Sequence, residues 1–90
     1  SRLNYYVKFL IDKDRNINEG LKLIDKALAL NPDNYDYLQT KGVGLYKQGK
    51  YQEALAVLQR SWNLRMGKAL YDHEAFLHLE AARKAVAGQK

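Results

Sequence analysis

Apolar residues return at three- and four-residue spacing along nearly the whole chain, and polar or turn-forming residues interrupt them at short intervals. Leu3, Val7, Leu10 and Ile11 form one such stripe, with Tyr6 beside it. Leu21, Ile24, Ala27 and Leu28 form a second, closed by Leu30. Leu38, Leu45 and Tyr46 mark a third, and Ala54, Leu55, Leu58, Trp62 and Leu64 a fourth. Ala75, Phe76, Leu79, Ala82 and Val86 mark a fifth. Spacing of this kind puts one apolar face on a helix. No segment alternates at period two long enough to suggest a strand. The pattern predicts five helices, over about 2–14, 17–30, 35–48, 51–65 and from Asp72 to Gly88.

The breaks between stripes have the right chemistry. Asn16 followed by Glu19 is a variant of the capping box, so a helix opens near Ile17. Asn31-Pro32-Asp33-Asn34 is a stop, because proline lacks the N–H that would continue the ladder. Asp33 or Asn34 then caps the next helix. Gly49 suits the left-handed position after a helix end. Met66-Gly67-Lys68 reads as a further break, and Asp72 as a cap with Glu74 in the first turn. Connections of a few residues make neighbouring helices antiparallel.

The chain also matches itself at an offset of 34 residues. Asn18-Glu19-Gly20-Leu21 falls under Gln52-Glu53-Ala54-Leu55, Leu23-Ile24 under Val57-Leu58, Ala27-Leu28 under Ser61-Trp62 and Leu30 under Leu64. A fixed period of this size marks stacked helical units, each unable to bury both of its faces alone. Gly42 and Ala54 are small where two helices of a hairpin approach closely. Tyr51 can wedge between helices with its hydroxyl at the edge.

These residues resemble the tetratricopeptide repeat, a helix–turn–helix family of the same period. Residues 35–68 fit best: Leu38, Gly42, Leu45, Gly49, Tyr51, Ala54, Ser61 and Leu64 stand at family positions, while Lys41 and Met66 depart from them. Residues 1–34 fit less well: Val7, Ile11, Ile17, Leu28, Leu30 and Pro32 agree, and Asn4, Lys8 and Arg15 do not. The resemblance implies an all-α, right-handed stack: one repeat at 1–34, a second at 35–68, and a closing or partial third-repeat helix at 69–90. Arg83, Lys84 and Lys90 would give that last helix a polar outer face. Gly67-Lys68-Ala69-Leu70 reads as an insertion that leaves its register open. The chain opens at Ser1 inside a repeat, which reads as a piece of a longer protein.

In that family the inner helix of each pair lines a concave groove that takes extended peptides or helices. The resemblance places Arg2, Tyr5, Tyr6, Phe9, Asp12 and Lys13 of the first copy on that groove. It places Asp36, Gln39, Thr40, Val43, Tyr46 and Lys47 of the second there too. Exposed aromatics among polar residues suit contact hot spots. Tyr6 and Phe9 suit equally well a packing role against a preceding repeat or inside the hairpin. Some relatives clamp the terminal carboxylate of chaperone partners with lysine, asparagine and arginine. The corresponding places here hold Tyr5, Phe9, Thr40, Leu70 and Glu74, so that clamp is absent.

Other chemistry finds little support. With no cysteine, the chain has no disulfide framework, thiolate nucleophile or cysteine metal site. Gly44-Leu45-Tyr46-Lys47-Gln48-Gly49-Lys50-Tyr51 approaches a phosphate-binding loop. It lies on a helix, no strand precedes it, and Tyr51 stands where a serine or threonine is needed. His73-Glu74-Ala75-Phe76-Leu77-His78 has one residue too many for a zinc-protease motif. On a helix that gap turns the histidines about 140° apart. No carboxylate pair is spaced for acid–base work, and no metal or cofactor is implied.

The net charge of +5, from 15 basic and 10 acidic residues, is spread along the chain and reads as a solvated surface. It leaves a basic nucleic-acid-binding module as the alternative, although no helix concentrates arginine. A spacer or self-association module is a third reading. The leading expectation is a non-enzymatic scaffold that binds a protein or peptide partner, without a small-molecule substrate or a membrane span.

Overall fold

The computed structural model describes residues 16–89, and these form an all-α array. Its helices are α1 (Ile17–Leu30), α2 (Tyr35–Lys47), α3 (Tyr51–Gly67) and α4 (His73–Ala87). The expectation of five helices is corrected: the described residues hold four. The additional helix, expected at 2–14, lies outside the described residues. Its apolar spacing specifies a stripe and not the surface that covers it, and helices of this length draw most of their stability from such a surface.

Three of the four helix starts carry an acid or amide cap. Asn16 Oδ1 accepts from Glu19 N at 3.0 Å, Asn34 Oδ1 from Tyr37 N at 3.1 Å and Asp72 Oδ1 from Ala75 N at 3.0 Å. Each satisfies one of the amides that a first turn leaves unpaired. Lys50, at the start of α3, makes no such side-chain bond.

The helices zigzag. Early residues of α2 meet late residues of α3, as where Ser61 Oγ donates to Tyr35 O at 2.8 Å. Lys41 pairs with Asp25 of α1 at 2.7 Å. Gln48 Nε2, just past α2, donates to Asn18 Oδ1 of α1 at 2.6 Å. Trp62 of α3 lies against Phe76 of α4, with ring centroids 5.9 Å apart. Each helix is therefore antiparallel to the next.

Two apolar clusters fill the seams. Ile24 gathers Leu21, Leu23, Tyr37 and Val43 between α1 and α2. Leu58, Leu79 and Ala82 gather Tyr46, Leu55 and Trp62 where α3 meets α4. At the α2–α3 crossing Gly42 is required, because a methyl group there would overlap the Leu58 side chain. Ala54 is fully buried. None of the helices among the described residues is long and apolar enough to cross a membrane.

α3 ends two residues later than the pattern suggested. Gly67 stays within the helix, and the reversal falls on Ala69, which adopts φ 56. Asn34 and Asp72, the caps of α2 and α4, are consequently 38 residues apart, four more than the period. That settles the register of α4 relative to α2.

Candidate functional site

α2 and α4 share a small apolar cleft. Val43 and Tyr46 supply one wall, His78 and Ala81 the other, and Leu58 of α3 joins them, around a volume of about 50 Å³. Tyr46 is held on its other side by Tyr51, ring centroids 5.2 Å apart. Walls carried on helices are positioned more firmly than walls carried on loops.

A polar network joins the N-terminal ends of both walls. Its centre is Arg65, in the last turn of α3 and only 7% exposed. Nη2 donates to Asp36 Oδ1 at 3.0 Å and to Gln39 Oε1 at 2.9 Å. Nη1 lies 3.8 Å from Asp72 Oδ2, and the guanidinium carbon sits 4.5 Å from the centre of the Tyr35 ring. A guanidinium suits this place because its planar fork addresses several acceptors at once and its face lies on an aromatic ring. Gln39 continues the network, with its Nε2 3.3 Å from His78 Nδ1. The Arg65 Nε–H is buried without an acceptor, a cost that the other bonds offset.

Asp36, Gln39, Val43 and Tyr46 of the expected groove lie along one side of α2 and meet this cleft or its network. Thr40 does not join them: it is 3% exposed, and its Oγ1 donates to Asp36 O at 3.0 Å inside its own helix. Lys47 is exposed at the C-terminal end of α2. Arg2, Tyr5, Tyr6, Phe9, Asp12 and Lys13 lie outside the described residues.

Three residues with a part in the site escaped the sequence pattern: Arg65, His78 and Ala81. Arg65 follows Trp62-Asn63-Leu64 and looks like one more surface cation near a helix end. His78 reads from the sequence as an ordinary surface or hydrogen-bonded histidine, with nothing to name its partner. The structure sends the two histidines to different partners, His73 Nδ1 to the Tyr71 hydroxyl at 3.1 Å and His78 to Gln39. The four-residue lengthening before α4 brings His78 and Ala81 opposite α2. With the period unshifted, Glu74 and Leu77 take those places.

The helical hairpins fit a repeat of the tetratricopeptide kind, but no family model matches the chain. No solved structure matches it either. Among curated proteins the chain is similar to the BBSome complex member BBS4 homolog of Drosophila melanogaster, with 32% identity over 76 residues. The match covers 83% of this chain and 15% of that protein, so the chain spans a small part of the relative's length.

Proposed function

We propose that this chain is a segment of a protein-interaction scaffold of the tetratricopeptide kind. It binds a peptide or helix of a partner protein along the side that α2 and α4 share. The observation that carries this reading is the cleft between the two helices, whose walls are held by a buried network and not by loops. A rigid, mainly apolar wall edged by Asp36 and Lys47 can accept a ligand with little rearrangement. The similarity to a protein named as a member of a complex supports the same class of role. In this reading residues 35–68 are one complete unit and α4 closes the stack. Arg2, Tyr5, Tyr6, Phe9, Asp12 and Lys13 would extend the binding surface from the preceding unit.

Peptides selected from a random library on the purified chain test the proposal. Their nuclear magnetic resonance footprint should fall on Asp36, Val43, Tyr46 and His78. Affinity should drop by about tenfold, or about 1.4 kcal/mol, in a variant carrying Tyr46→Ala and Lys47→Glu that keeps its helical circular dichroism. A footprint confined to the outer sides of α1 and α3 would move the site elsewhere.

A further inference from the structure

Gln39 is oriented from one side only. Arg65 Nη2 has nothing but hydrogens to offer, and its 2.9 Å bond to Gln39 Oε1 settles which end of the amide faces α3. The amide nitrogen therefore faces α4, 3.3 Å from His78 Nδ1. It too has only hydrogens to offer. For the bond to exist, His78 Nδ1 must accept, which only an imidazole carrying its single hydrogen on Nε2 can do.

We propose that His78 is a proton-operated latch between α2 and α4. Neutral, it accepts the Gln39 hydrogen and ties the two walls of the cleft together. Protonated, it sets N–H against N–H. Gln39 can answer only by turning its amide over, which sets an N–H against Arg65 instead. Either way one bond of the chain from Arg65 to His78 is lost.

The surroundings favour release over accommodation. From α2 the imidazole faces Gln39, Val43 and Tyr46, and from α3 it faces Leu58, with the Arg65 guanidinium behind Gln39. The nearest carboxylate of α2, Asp36, is already engaged by Arg65. A charge in a mainly apolar cleft without a counter-ion is unfavourable. On its own helix the exposed Glu74 lies one turn earlier, where an imidazolium swung outward can pair with it. Acid thus draws His78 away from α2. Resting on the reading of this cleft as the binding site, release also weakens ligand capture.

The test follows the imidazole nitrogens and the Gln39 side-chain amide by nitrogen-15 resonance from roughly pH 8 to pH 5, the range in which histidines change charge. At the upper end His78 should show the Nε2–H form. On acidification the Gln39 amide signal should move with His78 and not with His73. Hydrogen exchange in α4 should quicken about threefold or more relative to α1. His78→Gln should abolish both responses, and His73→Gln should leave them intact. An Nδ1–H form at the upper end would overturn the latch. So would a Gln39 signal indifferent to His78, a reading that needs no variant to fold. A library-selected peptide gives the second arm: equal capture at both ends of the range, with the latch titrating, overturns the control of binding alone.

Discussion

The two ends of α3 solve one problem by different means. At its start, the chain leaves α2 through Gly49, which takes φ 80, with Gly49 N donating to Tyr46 O and Lys50 N to Leu45 O. At its end, it leaves through Ala69, which takes φ 56, with Ala69 N donating to Met66 O and Leu70 N to Arg65 O. The bond pattern is the same. Glycine adopts the left-handed conformation without strain, whereas alanine holds its Cβ against the carbonyl. Beyond the turns, the two seams also differ. The one between α2 and α3 closes by omission, where Gly42 lets Leu58 in. The same seam carries a polar part, where Arg65 reaches Asp36 and Gln39 of α2, whereas the one between α3 and α4 is filled by Leu58, Leu79 and Ala82. An apolar seam is specified by size, and a polar one by which group donates and which accepts.

Four substitutions sharpen that contrast, each read by chemical unfolding. Leu58→Ala touches both seams and should cost most, about 3 kcal/mol, as buried leucines do. Equal stability in that variant would mean that the seams close without it. Asp36→Ala strips the buried Arg65 of its nearest carboxylate and should cost about 2 kcal/mol, the scale of a hydrogen bond to a charged group. Addition of salt should change that difference little, since the guanidinium is buried. Gly49→Ala should cost about 1 kcal/mol, the strain of a left-handed alanine less the freedom lost by the unfolded chain. Ala69→Gly is its mirror image and should stabilise by about 0.5 kcal/mol. If the last two changes had the same sign, the turns would not be equivalent.

Much of the fold was readable from local chemistry. Asn16, Asn34 and Asp72 cap where their residue types indicated, because a cap depends on three or four consecutive residues. Gly49 was readable for the same reason, as were the small residues Gly42 and Ala54. Ala69 was not: nothing about an alanine marks a left-handed turn, so the helix was ended too early, at the Met66-Gly67-Lys68 stretch. The same error hid the register of α4. Arg65 was missed because its acceptors, Asp36 and Gln39, lie on another helix, and periodicity has no term for charge inside a core. Leu30 erred in the opposite direction. It follows the stripe of α1 yet stands 84% exposed, since a stripe at a helix end can outrun the neighbour that covers it. In the site, the stripe of α2 was legible through the family resemblance, and the wall supplied by α4 was not.

The succession of antiparallel neighbours has a kinetic meaning. Among the described residues α1 rests chiefly on α2, α2 on α3 and α3 on α4, with a smaller contact between α2 and α4, so most docking steps join segments that are near in the chain. Little loop-closure entropy then stands in the way of assembly, which favours fast, zipper-like folding from whichever pair of helices forms first.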